Sequence, residues 1–274
     1  VTQRISTRNA RFQLLETLLT NRTKRGRAGQ FLVQGVRPIS MAVEHGWQVD
    51  TLLYDVEHRL SDWARGLLHD VDAEHVAMSP ELLAELAEKP VGETELLAVV
   101  RMPADDLNRV PVPADFLGVV LDRPGQPGNV GSIVRSADAF GAHGVIVTGH
   151  AADPYDPRAV RATTGSLFAV PVVRAPSHRE VLEWVDERRA AGVPVTVVAT
   201  DEDGDADVAH TDLTGPVLLL VGNETVGLTR AWREAADVVA SIPMGGSASS
   251  LNAANAASVV LYEARRQRGA ASAG

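Results

Sequence analysis

Three short segments in the second half of the chain bring together residue types that can do chemistry on a nucleotide-like ligand. The first, Leu121-Asp122-Arg123-Pro124-Gly125-Gln126-Pro127-Gly128-Asn129-Val130-Gly131, leaves an apolar strand and enters a helical stretch carrying Arg135. Glycine lets backbone approach a ligand closely, and a helix N-terminus favours an anion. The glycines fall as G-x-x-G-x-x-G, unlike the dinucleotide fingerprint G-x-G-x-x-G, and the Gly-Lys-Ser/Thr of a P-loop is missing. Arg135 lies far enough into the helix to meet a ligand held by the turn, or to form a surface ion pair. The second segment is Gly222-Asn223-Glu224-Thr225-Val226-Gly227-Leu228, directly after the apolar run Val217–Val221. A carboxylate at the C-terminal edge of a parallel strand points into the crevice where such sheets bind ligands, and Glu224 fits that place or a helix-capping one. The third runs from Ile242-Pro243-Met244-Gly245-Gly246 through Ser249, Ser250, Leu251 and Asn252 into an alanine-rich helix. A serine there can act as an N-cap, but the run holds more small polar residues than one cap requires.

The elements that must position these turns follow from periodicity. From residue 116 onward, short β-branched segments apolar on both faces predict parallel strands at 117–121, 144–148, 170–173, 195–199, 217–221 and 238–242. Helical spacing falls between them, at 132–140, 160–164, 178–191 and 231–236, and closes the chain at 251–268. The first hundred residues read as a smaller α/β module, with strands at 31–33, 49–54, 75–77 and 96–102. Helices are expected at 11–19, 38–45, 60–68 and after Ser79-Pro80, with a basic turn at 21–29. Three prolines and weak periodicity mark a linker, so the expected organisation is 1–104, linker 105–115, and 116–274.

Composition narrows the function classes. The 274 residues are 45% hydrophobic, enough for a sizeable core, and include no cysteine, which excludes disulfides, zinc thiolates and cysteine nucleophiles. The eight histidines show no paired spacing, so no metal is expected. No apolar run reaches the roughly 20 residues of a membrane span, and the start of the sequence does not read as a secretory signal. These features fit a cytoplasmic protein. Net charge is −9, yet residues 1–40 carry eight basic side chains against Glu16 alone. Arg8, Arg22, Lys24, Arg25 and Arg27 belong to that stretch, which reads either as an RNA phosphate contact or as a solvated N-terminus.

Taken in order, GNVGSIVRSADAFG (128–141), LLLVGNETVGL (218–228) and IPMGGSASSLNAANAASVVLYEA (242–264) resemble the three motifs of the SpoU, or TrmH-like, branch of the SPOUT methyltransferases. ISTRNARFQLLETLL…FLVQGVRPI is similar to the L30e-like substrate-binding domain that precedes this catalytic domain, with Gln34 where glutamate is common. The resemblance implies an α/β trefoil-knot domain preceded by a smaller L30e-like α/β domain. It implies S-adenosylmethionine (SAM) as cofactor, held by Thr200, Gly222, Asn223, Ile242, Met244 and Leu251. It assigns Arg135 to activation of a ribose 2'-hydroxyl, ordered by Asn129, Glu224, Ser250 and Asn252, and offers Arg161 as a further RNA contact. It also implies a homodimer through the knotted domain, with the helix after Leu251 as interface, and ribosomal RNA as partner. Transfer RNA is the alternative target, and the arginine-rich composition fits a thiostrepton- or avilamycin-resistance type. A nicotinamide-dependent oxidoreductase is disfavoured by the glycine spacing and by Thr148-Gly149-His150, where an acid would end the second strand. A decayed, non-enzymatic scaffold is disfavoured because the whole polar set is present.

Overall fold

The computed structural model describes residues 3–248 and 250–271. The first half of the chain reads β1 (Gln3–Ile5), α1 (Ala10–Thr20), α2 (Arg22–Ala28), β2 (Gln30–Gln34), α3 (Val36–Glu44), β3 (Val49–Asp55), α4 (Asp62–Asp70), β4 (Glu74–Met78), α5 (Pro80–Ala87) and β5 (Leu96–Arg101). The second half continues with β6 (Leu117–Asp122), α6 (Pro127–Ala139), β7 (Gly144–Thr148), α7 (Pro157–Thr163), α8 (Ser166–Ala169), β8 (Val172–Ala175) and α9 (His178–Ala190). It ends with β9 (Thr196–Thr200), β10 (Ala206–Asp207), β11 (Val217–Val221), α10 (Arg230–Ala235), β12 (Val238–Ser241) and α11 (Ala253–Ala271).

The chain divides into two compact units. One comprises the residues up to Pro103 together with Tyr155–Ala169; the other comprises Ala104–Pro154 and everything from Val170. The first unit is a mixed sheet in the order β1-β4-β3-β5-β2, with β5 antiparallel to both neighbours. Ile5, Phe12, Leu53, Met78 and Leu83 form a core within it. The segment Tyr155–Ala169, expected with the catalytic half, belongs here for a visible reason. Phe31 of β2 contacts Tyr155 at 4.9 Å and Phe168 at 6.3 Å between ring centroids, and Trp47 Nε1 donates to the Phe168 carbonyl at 3.0 Å. An aromatic cluster of this kind outweighs sequence adjacency.

The second unit is a parallel sheet in the order β10-β12-β9-β11-β6-β7-β8. Its central strands β6 and β11 are buried along their whole length, as the apolar runs at 117–121 and 217–221 require, and β6 ends on the buried Asp122. Val120, Leu218 and Leu220 pack with Trp184 of α9 and Trp232 of α10, while the alternate residues Val119, Leu121 and Leu219, equally buried, face the other way. Helices α6 and α11 pack together, joined by a 2.7 Å hydrogen bond between the Ser136 and Ser258 hydroxyls.

The segment expected as a linker is packed in this unit. Val110 is buried against Gly144, where an added Cβ would lie 2.7 Å from its Cγ1, and Asp105 accepts from the Arg174 amide at 3.0 Å. Among the described helices, none is long and apolar enough to cross a membrane.

Candidate active site

The first and second turns meet at Glu224. Its carboxylate accepts from the Gly125 amide at 2.9 Å, the Gln126 amide at 3.3 Å and the Asn129 side chain at 2.9 Å. Burial alone would raise its pKa, but these donors and its own amide outweigh burial and hold the carboxyl below the usual range. The functional and capping readings of Glu224 therefore coincide. It satisfies the N–H groups of Gly125 and Gln126 just ahead of α6, and holds the Asn129 side chain in its first turn, from a position 95 residues downstream of Asn129. The same interaction explains why α6 begins at Pro127 rather than at 132, with Pro127 at a position that tolerates a missing N–H.

The third turn joins through Asn252, whose amide donates to Asn129 Oδ1 at 3.2 Å. Its own Oδ1 accepts from the Ala254 amide at 2.9 Å, opening α11. Glu224, Asn129 and Asn252 thus form one hydrogen-bonded chain across the three turns. Ser249 lies outside the described residues. Ser250 is exposed.

Beside this chain lies a cavity of about 340 Å³ whose lining includes Thr200, Gly222, Asn223, Glu224, Ile242, Met244, Ser250 and Leu251. All six residues expected to hold a cofactor are there. The turn Gly222–Leu228 folds tightly on itself: Asn223 and Gly227 exchange backbone hydrogen bonds of 3.1 and 3.0 Å. Any Cβ at residue 222 would lie 2.6 Å from Gly227 backbone. Asn223 Oδ1 accepts from the Thr225 and Val226 amides, which fixes the turn locally. Thr200 Oγ1 donates to the Leu220 carbonyl at 2.8 Å. Met244 and Leu251 are each 39% exposed, so apolar side chains line a concave space that water now reaches. Asp201, Glu202 and Asp203 also border it, and Asp201 pairs with Arg233 at 2.7 Å. Spacing did not single out these acids.

Arg135 stands apart from the cavity wall. It sits on the exposed face of α6 with Gly128 and Ser132, about 9 Å along the axis from Asn129. No hydrogen bond or ion pair engages its guanidinium among the described residues. The surface-ion-pair alternative thus has no partner here.

In the first unit the basic residues separate by role. The stretch expected as a basic turn is helix α2, capped by Asn21, whose side chain accepts from the Lys24 amide at 2.9 Å. It is polar nearly all round, so no apolar period announces it. Arg22, Lys24 and Arg27 are exposed on it. Arg25 is a correction: it is 2% exposed, and its guanidinium donates to the Leu18 carbonyl at 2.7 Å and the Leu19 carbonyl at 3.2 Å. A guanidinium so enclosed ties α1 to α2 and cannot also reach RNA. Arg8 pairs with Glu85 and lies 5.6 Å over the Phe12 ring. Arg161 pairs with Glu88 at 2.7 Å. With its amide oriented to satisfy both neighbours, Gln34 accepts from Arg161 at 3.2 Å and donates to the Ala87 carbonyl. Among the described residues, no group of three or more His, Asp or Glu is placed to hold a metal ion.

The SpoU rRNA Methylase family model matches residues 117–262, and the SpoU L30e-like domain model matches residues 9–98. The chain is 64% identical to the 23S rRNA (uridine(2479)-2'-O)-methyltransferase of Streptomyces viridochromogenes, over 97% of this chain and 93% of that protein. The crystal structure of the SpoU methyltransferase AviRb from the same organism, in complex with AdoMet, superposes with a TM-score of 0.91 at 63% identity, covering 95% of this chain and 98% of that one. An AdoMet-bound rRNA methyltransferase from Sinorhizobium meliloti superposes with a TM-score of 0.85 at 31% identity, covering 97% and 98%.

Proposed function

Since the chain belongs to the SpoU rRNA methylase family, we propose that it transfers a methyl group from SAM to a ribose 2'-hydroxyl of 23S rRNA. The observation that carries this reading is the hydrogen-bonded chain Glu224–Asn129–Asn252, which joins three turns beside one cavity.

The residues present fit SAM. A volume of about 340 Å³ lies at the lower end of the range for small-molecule sites. Ile242, Met244 and Leu251 supply apolar faces for an adenine ring, and the tight Gly222 turn offers backbone groups to its edges. When bound, SAM supplies an electrophilic methyl group on a sulfonium. The protein must bring a 2'-hydroxyl to it, hold that hydroxyl in line, exclude water and promote loss of the proton.

Arg135 is the residue we assign to the hydroxyl. A guanidinium offers five N–H donors and no acceptor, so it acts as an orienter of the adjacent phosphate and a stabiliser of the developing oxyanion. Its freedom from protein partners leaves its donors available for that role. Glu224 and Asn129 hold the turn, and Asn252 and Ser250 order its opposite side. Arg22, Lys24 and Arg27 on α2 are the RNA phosphate contacts, with Arg8 and Arg161 contributing from within ion pairs.

The proposal extends to assembly and setting. The trefoil knot is part of the proposal, supported by the return of the chain from β12, beyond β9, to a helix packed on α6. Val259 and Tyr262 of α11 are 40% and 57% exposed, apolar residues suited to burial in a homodimer. We place the enzyme in the cytoplasm, with its RNA.

Primer extension at low dNTP on 23S rRNA, incubated with the protein and SAM, tests the function. A new SAM-dependent stop is expected. Arg135→Ala should abolish the stop while leaving SAM binding, measured by calorimetry, within about two-fold. Wild-type turnover in that variant would remove Arg135 from the mechanism.

A further inference from the structure

Arg123 adopts φ 50°, a left-handed backbone conformation that side-chain-bearing residues rarely take. Something must hold it there. Its guanidinium makes paired contacts with the Asp122 carboxylate, Nε to Oδ1 and Nη2 to Oδ2, each at 3.2 Å, and Asp122 is only 3% exposed. Nη2 also donates to the Gly227 carbonyl at 3.3 Å. The second Asp122 oxygen accepts from the Thr229 amide at 2.8 Å, and the Arg123 carbonyl accepts from Asn223 Nδ2 at 2.7 Å. Gly149 makes room for the side chain: a Cβ there would lie 2.8 Å from Arg123 Cγ.

These contacts converge on one target. Asn223, Gly227 and Thr229 bound or flank the turn that walls the cavity, while Arg123 itself is not part of that wall. We infer that Arg123 is a positioning residue for the cofactor, bracing the turn Gly222–Leu228 from outside the cavity with Asp122 as its anchor. Strain at one residue is thereby exchanged for a fixed geometry at a turn whose backbone must meet the ligand. The inference rests on the methyl-transfer reading.

Arg123→Gly separates positioning from folding, because glycine accepts the left-handed angle freely while losing every guanidinium contact. SAM affinity by calorimetry should fall about ten-fold in this variant, with the thermal midpoint within a few degrees of wild type. The KM for SAM should rise in step, while kcat at saturating SAM stays within about two-fold. Arg123→Lys keeps the charge but not the paired geometry, and should recover only part of the affinity. SAM affinity unchanged in Arg123→Gly would overturn the inference, as would a loss of affinity matched by a large fall in midpoint in both variants. Failure of the wild-type protein to bind SAM would instead overturn the reading on which it rests.

Discussion

Glu224 shows how one side chain serves both fold and site. An ionised carboxylate accepting from two backbone amides and the Asn129 side chain is stabilised relative to its protonated form. Its folded pKa lies below the ordinary glutamate value of 4.5. The contribution is therefore complete above that value and is lost as pH falls through the folded pKa. Glu224→Gln turns an amide NH₂ toward N–H donors and should lower stability by roughly 1–3 kcal/mol. Methyl transfer should fall at least ten-fold, because Asn129 loses its anchor; a variant with wild-type stability and rate would contradict the arrangement. His143 titrates in a separate window. Burial, reinforced by the positive charge of Arg268 and opposed by Asp115, holds its pKa below the ordinary value, and its neutral Nδ1 accepts from the Leu117 amide at 3.1 Å. Below about pH 6.5 the unfolded chain takes up the proton first, so folding stability should decline from there downward. Urea unfolding at pH 7.5 and 5.5 should show that decline in wild type and less of it in His143→Gln. An equal decline in both would assign it elsewhere.

At the scale of elements, the contact that fixes the last helix is Arg268. Its guanidinium donates to the carbonyls of Leu213 at 3.0 Å, Phe116 at 3.0 Å and Gly215 at 2.7 Å, and to that of Asp115, clamping α11 to the entries of β6 and β11. Arg268→Ala should cost about 2–3 kcal/mol in urea unfolding, since several acceptors lose a charged donor together. A change within about 0.5 kcal/mol would show that the clamp is idle. Nothing in the sequence near Arg268 announces these partners, the nearest of which lies 53 residues away. The central strands were legible because burial on both faces leaves a run such as Val217–Val221 no other reading. The cavity lining was legible through motif order, since each turn alone is an ordinary strand-to-helix connection. The early start of α6, the burial of Arg25 and the packing of Tyr155–Ala169 on Phe31 were not. The first and third depend on partners distant in sequence, and the second on carbonyls six and seven residues back in a neighbouring helix, and periodicity is blind to all of these. The pair Asp122-Arg123 left a faint mark, an acid and a base ending an apolar strand, but its target at Gly227 did not.

For the whole molecule, the governing contrast is a net charge of −9 with a cationic first forty residues. An RNA backbone is repelled by the average charge and attracted by the local one, so association must depend on where the cations stand rather than on their total. Lys24 and Arg27 are exposed on α2, whereas Arg25, between them, is buried and structural. Binding of an rRNA fragment should therefore weaken steeply with salt, with log K falling by about 0.7–0.9 per phosphate contacted for each unit of log salt. Replacing Lys24 and Arg27 together by alanine should flatten that slope by about 2 and leave SAM affinity untouched. Arg25→Met should do the reverse, lowering the thermal midpoint while the salt slope of the surviving folded protein stays as in wild type. Fluorescence anisotropy across 50–300 mM salt separates the two. An unchanged slope in the double variant would mean that the charge asymmetry of the chain serves something other than RNA phosphate at this helix.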